Sequence, residues 1–203
     1  MVFACRCFTI LHDAGRDNFR VFTLAELKEA TKNFNDSCMI GEGGYGKVHK
    51  GMVKSLEDPN KDIEGYKQWV TELNNLGDVK LQHPNLVKLI GYCDEDRENE
   101  SNWLLVYEYM PNGSLDDHLS GKLPPPLWAN RLKIAKDVAT GLAYLHEGMD
   151  KQIIFRDFKP TNILLDSEWN AKLSDFGFAR DGPQDGRTHI STTVCLLEFS
   201  SIC

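Results

Sequence analysis

The stretch that most restricts what this chain can become is IIFRDFKPTNILLD at 153–166, with AKLSDFGFAR behind it at 171–180. Asp157 stands two positions before Lys159 and five before Asn162. A short apolar run follows, and a second acid, Asp175, opens an Asp-Phe-Gly triplet. Two carboxylates and an amide brought together by short strands can hold a divalent cation and accept a hydroxyl proton. Phosphoryl transfer asks for this equipment, since the protein there mainly positions groups and neutralises charge. Taken singly, each aspartate is a turn residue. Taken in order, behind a glycine loop, a helix carrying Glu72 and the hinge-like LLVYEYMPNGSL, the pair is hard to assign to turns.

The glycine loop reads GEGGYGKV at 41–48. Gly41, Gly43, Gly44 and Gly46 leave the backbone free to take positive φ and to lie close over a ligand. Val48 then resumes an apolar, strand-prone register. By itself such a glycine cluster is weak evidence, since it more often makes a plain turn than a phosphate cradle. Ahead of it, FTLAELKEATKNF (22–34) predicts an amphipathic helix. Thr23 caps it, Glu26 reciprocates, and Leu24, Leu27, Ala30 and Phe34 form its buried face. EGYKQWVTELNNLGDV (64–79) predicts a second helix with Trp69, Leu73 and Leu76 on one side. NLVKLIGYC and NWLLVYEYM are short strands, and the acidic DEDRENESN between them reads as a solvated hairpin loop. Pro111–Asn112–Gly113 marks a boundary between two lobes. Ser114 caps a helix over SLDDHL. After the prolines at 124–126, Trp128 to Glu147 predicts a long helix, apolar on most sides, as is normal for a helix buried on most sides.

Composition narrows the classes. A net charge of −7 over 203 residues argues against a nucleic-acid binder, which carries a basic face. No apolar run approaches the roughly 18 residues of a membrane span. MVFACRCFTI has no basic n-region and is interrupted by Arg6, unlike a secretory signal. The six cysteines, at 5, 7, 38, 93, 195 and 203, lack zinc-site spacing and read as reduced thiols of an intracellular protein. Cys5 and Cys7 are candidates for palmitate, whereas Val2 excludes N-myristoylation.

Together GEGGYGKV, WVTEL, HPNLVKLIGYC, LLVYEYMPNGSL, FRDFKPTNILLD, KLSDFGFAR and THIST, over roughly residues 21 to 194, resemble the eukaryotic protein kinases. Within them the chain is most similar to plant receptor-like cytoplasmic serine/threonine kinases, relatives of the Pelle and interleukin-1-receptor-associated kinases. The resemblance implies an α+β, two-lobed fold, ATP and Mg²⁺ as cofactors, and a protein substrate or receptor kinase complex as partner. It implies Asp157 as catalytic base, Lys159 as the γ-phosphate lysine, and Asn162 and Asp175 as Mg²⁺ ligands. The glycines at 41, 43, 44 and 46 and Val48 would cover the nucleotide. Tyr107 would be the gatekeeper, with the backbone of Glu108 and Met110 holding adenine. Glu72 resembles the αC glutamate, and Phe176 and Gly177 complete the Asp-Phe-Gly triplet. Arg156 would pair with a phosphorylated activation loop, with Ser191, Thr192 and Thr193 as acceptors. Phe155 stands where most kinases have histidine, a substitution tolerated in this subfamily. The implied location is cytoplasmic, with peripheral contact at the inner face of the plasma membrane as the alternative.

Two departures qualify that expectation. In the family a strand of the type Val-Ala-Val-Lys follows the glycine loop, but here GMVKSLEDPNKDIE runs straight into GYKQWVTEL. About ten residues, one strand with its connection, are missing near 64–65. Lys54, Lys61 and Lys67 lack the strand context, leaving Glu72 without its partner. An ion pair at about 4 Å and an effective dielectric near 20 is worth about 4 kcal/mol, or about a thousandfold in rate if lost from a transition state. Second, after THISTTV the Ala-Pro-Glu segment does not follow, and CLLEFSSIC departs from the family. The sequence therefore divides into a tail at 1–20, an N-lobe at 21–110, a partial C-lobe at 111–194 and an unrelated tail at 195–203. The readings it leaves open are an impaired or inactive serine/threonine kinase, a catalytically dead binding module or competitor, and a non-functional truncated product.

Overall fold

The structure, a computed structural model, describes residues 2–5, 20–43, 46–52, 82–97, 100–149, 152–177 and 179–183. The helix expected at 64–79 with Glu72, the glycine Gly44, the residues Ser191, Thr192 and Thr193 and the tail 195–203 lie outside these residues.

Among the described residues the first lobe is a six-stranded sheet with one helix on it. Its strands are β1 (Val2–Cys5), β2 (Arg20–Val21), β3 (Met39–Gly43), β4 (Gly46–Lys50), β5 (Leu89–Arg97) and β6 (Glu100–Tyr107), in the order β2-β5-β6-β1-β4-β3. Two local antiparallel hairpins, β3–β4 and β5–β6, account for four of them. The helix α1 (Leu24–Ala30) begins as its sequence predicts: the Thr23 hydroxyl accepts the Glu26 N–H and the Glu26 carboxylate accepts the Thr23 N–H. Leu24 and Leu27 are buried with Phe22 against Cys93, Leu104 and Val106 of the sheet. β6 is buried on both faces: Leu104 and Val106 face α1, while Leu105 packs into the other core. That alternation is the period of two of an interior strand.

The acidic run is not a free loop. Pairing continues through Glu95↔Asn102 to Arg97↔Glu100, leaving only positions 98–99 between the strands. Ladder bonds are made by backbone, so a polar sequence can extend a hairpin that its neighbours have already aligned. Glu95 gains a function there, its carboxylate accepting the N–H of Leu24 at the start of α1. The N-terminal segment also departs from expectation: residues 2–5, read as part of a tail, are an interior strand.

The second lobe is built on α2 (Leu115–Leu119) and α3 (Trp128–Glu147), with the small strand pairs β7 (Ile153–Ile154) with β10 (Arg180–Asp181) and β8 (Ile163–Leu165) with β9 (Ala171–Leu173). Ser114 caps α2 in a capping box with Asp117. α3 buries one stripe, Ile134, Val138, Gly141 and Leu145, in a core shared with Leu165, Leu173 and Phe176. Its other side, from Trp128 (71% exposed) and Leu132 (57% exposed) through Ala135, Ala139 and Ala143, faces solvent. The apolar sequence is thus only half used within these residues. Among the described residues no helix is long and apolar enough to cross a membrane.

Candidate active site

The site forms where three elements of the second lobe end beneath the hinge. Segment 83–87 anchors them. The Asn85 side chain donates to the Ala171 carbonyl, its own carbonyl accepts the Leu173 N–H, and the Val87 N–H reaches the Leu173 carbonyl. α3 contributes Asp137, which accepts the Ala171 N–H at 3.1 Å. It also contributes Gly141, where an added Cβ would lie 3.0 Å from the Asn85 carbonyl. β9 is therefore fixed along its length, and β9 leads directly to Asp175.

Asp157 is 5% exposed and fully engaged on one oxygen: Oδ2 accepts Lys159 Nζ at 2.7 Å and Asn162 Nδ2 at 2.9 Å. Asn162 Nδ2 also donates to the Asp157 backbone carbonyl at 3.0 Å. The Asn162 side-chain amide thus donates to Asp157, which leaves its Oδ1 as the atom that could accept a cation. The Asn162 carbonyl accepts the N–H of Ser174, which ties β9's exit to the same residue. Asp175 follows at φ 65°. Burial pushes its carboxyl above the ordinary carboxylate range; the Gly177 N–H opposes this, the Asp157 charge adds to it and Lys159 offsets part. Asp157 and Asp175 are near enough for their charges to interact, and two carboxylates with an amide oxygen are the kind of donors that a hard divalent cation takes.

Backbone strain marks the same place. Arg156 has φ 64°, and the Asp157 N–H closes back on the Phe155 carbonyl at 2.8 Å. A tight turn of that hand is rare for a residue with a side chain and clusters at functional sites. The sequence carries no sign of it. Phe155, in the histidine position, is buried and meets Phe176 edge-on with centroids 5.2 Å apart. The substitution is thus absorbed by packing.

At the hinge the Glu108 N–H goes to the Lys88 carbonyl and the Met110 carbonyl takes the Gly113 N–H. No hydrogen bond between described residues uses the Glu108 carbonyl or the Met110 N–H, the donor–acceptor pair that a purine edge requires. The Glu108 carboxylate is occupied by Lys172 at 2.7 Å and by the Lys88 N–H. Tyr107 ends β6, and Val48 stands in β4 with Gly41 opposite it in β3. Gly43 and Gly46 close the hairpin as a pair. Two described lysines of the glycine hairpin are turned to other partners: Lys47 lies 3.9 Å from Asp36 and Lys50 sits 4.1 Å above the Tyr109 ring.

A family profile for the protein kinase domain matches residues 34–200. This chain belongs to that family. Among curated relatives, the kinase chain is 57% identical over 194 residues to the serine/threonine-protein kinase PCRK2 of Arabidopsis thaliana, covering 89% of this chain and 46% of that one. It is 56% identical over 190 residues to PCRK1 of the same plant, covering 87% and 45%. It is 50% identical over 191 residues to the EPD1-interacting receptor-like cytoplasmic serine/threonine-protein kinase 5D of Gossypium barbadense, covering 87% and 40%. The chain spans about half the length of these three relatives, each of them named as a plant serine/threonine kinase.

Proposed function

We propose that this kinase chain retains a Mg²⁺·ATP site of the serine/threonine type while its phosphoryl transfer is impaired. The observation that carries the reading is the buried Asp157–Lys159–Asn162 network beside Asp175. Asp157 Oδ2 is held by two donors, which fixes the carboxylate and leaves Oδ1 to take a hydroxyl proton. Lys159 stands beside the base with its ammonium directed into the site. Asn162 Oδ1 and Asp175 supply the cation's donors, and the Glu108 carbonyl and Met110 N–H supply the base edge. Magnesium, when bound, neutralises charge on the phosphates.

The impairment rests on the lysine-bearing strand. The match to PCRK2 runs over 194 residues yet covers 89% of 203, about 181, so some 13 aligned positions have no counterpart here. A loss of that size agrees with one absent strand and its connection. The expected acceptor is a protein serine or threonine in a cytoplasmic, receptor-linked complex, with peripheral membrane contact at most.

Thermal unfolding with and without Mg²⁺·ATP tests the site. At a hundred times the dissociation constant the ligand should add about 2.7 kcal/mol, a rise of about 5–10 °C. Transfer to a generic protein substrate should fall about a thousandfold below that of an intact relative, and vanish in Asp157→Ala and Asp175→Ala. No thermal shift would refute the nucleotide site; transfer at an intact relative's rate would refute the impairment. A second reading, a catalytically dead partner-binding module, is favoured by the solvent-facing Trp128 and Leu132 of α3 and Leu127 just before it. It predicts partner contact that survives Asp157→Ala.

A further inference from the structure

Each hairpin of the first lobe closes on a sequence neighbour, but the two hairpins share no register pair with each other. Among the described residues they meet only through β1. Val2, Phe3 and Ala4 pair antiparallel with Lys50, His49 and Val48 on one side. Val2 to Cys5 pair antiparallel with Tyr107, Val106, Leu105 and Leu104 on the other. Strands that flank a third lie about 9.5 Å apart, twice the spacing of neighbours and too far for direct hydrogen bonds. The gap between β4 and β6 is therefore a slot for one strand. An empty slot would leave two rows of backbone donors and acceptors unpaired in the middle of a sheet, beside the buried Val106 and His49.

The sequence lacks a strand between the glycine hairpin and the helix expected at 64–79, and the slot is where the two hairpins need one. We infer that the slot between β4 and β6 is a strand-acceptor site and that its occupant is the chain's own Val2–Cys5, which completes the sheet in place of the missing strand. The fit is by backbone, and four residues, VFAC, suffice because both edges bond to them. None of the four is basic, so the segment restores the continuity of the sheet without restoring a phosphate-facing cation. Val48, one of the paired residues, is also the one placed to cover a nucleotide, so withdrawal of residues 2–5 opens the lobe beside that site. The strand assignment stands whether or not a nucleotide binds.

Amide hydrogen exchange on the full chain, with and without Ala4→Pro, tests it. Proline removes a ladder donor and is excluded from interior strands. In the wild-type chain the amides of residues 3–5 should exchange about a hundredfold more slowly than in an unstructured peptide. In Ala4→Pro, protection at residues 48–50 and 104–106 should fall at least about tenfold while that of β8 is kept. Wild-type residues 3–5 exchanging at the unstructured rate would overturn the inference, whatever the variant does. Unchanged protection of β4 and β6 in Ala4→Pro would overturn it equally.

Discussion

Gly91→Ala should loosen the whole front edge of the first lobe. At Gly91 strand β2 crosses so close to β5 that an added Cβ would lie 1.9 Å from the Arg20 carbonyl oxygen and 2.7 Å from Cε2 of Phe22. The first is backbone and cannot swing aside, so the strand must retreat by about 1.5 Å to reach ordinary contact. Two responses compete. Complete undocking would expose Phe22, Leu24 and Leu27, each 2% exposed or less, at about 1.5–3 kcal/mol apiece, or about 5–9 kcal/mol in all. A local shift that stretches Arg20↔Gly91, Val21↔Tyr92 and the 2.7 Å bond from the Phe22 N–H to the Tyr92 carbonyl costs the overpacking range of about 1–3 kcal/mol plus a weakened hydrogen bond. The shift is cheaper and sets the expectation at about 2–4 kcal/mol. For a chain of this length that lowers Tm by about 5–15 °C. Scanning calorimetry of the variant is the assay, with proteolysis just before residue 20 as the local probe. A Tm within about 2 °C of wild type would refute the reasoning.

Three further substitutions probe the site and its supports. Asp175→Asn removes a charge that burial and Asp157 disfavour, so calorimetry should show the unliganded chain as stable as wild type or a few degrees more so, with the Mg²⁺·ATP shift abolished. Asp166 accepts N–H groups of Glu168 and Asn170 and the Asn170 side chain. Burial alone would raise its carboxyl, and these bonds with Lys172 outweigh it and hold it below its ordinary 3.8. Its contribution is present above that pH and is lost as pH falls through the lowered value. Asp166→Asn should therefore cost about 1–2 kcal/mol at pH 7, and the Tm gap to wild type should close toward pH 3. His118 is buried with Nδ1 at 2.6 Å from the Pro124 carbonyl and Nε2 at 2.8 Å from that of Asn112. His118→Ala leaves both without that partner and opens a cavity, at about 2–4 kcal/mol by urea unfolding.

What the sequence discloses follows from how local its causes are. Trp128–Glu147 appears with the ends read from it, because prolines stop the chain before it and Gly148 after it. Thr23 with Glu26, and Ser114, cap their helices as expected, since a cap is decided within four residues. Asp157, Lys159 and Asn162 meet because their spacing spans one short turn. Other features answer to distant causes. Val2–Cys5 is too short to show a strand's alternation, and it is a strand because β4 and β6 flank it. Asp94 to Arg97 carry the charges of a loop yet extend a ladder begun by Cys93 and Leu104. The positive φ of Arg156 leaves no trace in residue type, whereas aspartate at 175 is a residue that tolerates that region.

The position of β1 also sets a timetable. Cys5 pairs with Leu104 and Val2 with Tyr107, so β1 waits about a hundred residues for its second partner. At about 5–20 residues per second, a ribosome takes about 5–20 s to deliver the partner. Through that interval the glycine hairpin can form and take up β1, while the far edge of β1 stands open. Closure over a hundred residues is slow for the same entropic reason that makes sheet proteins fold late. The nascent chain thus spends its youth with a bare strand edge, and its yield in a cell rests on what meets that edge first.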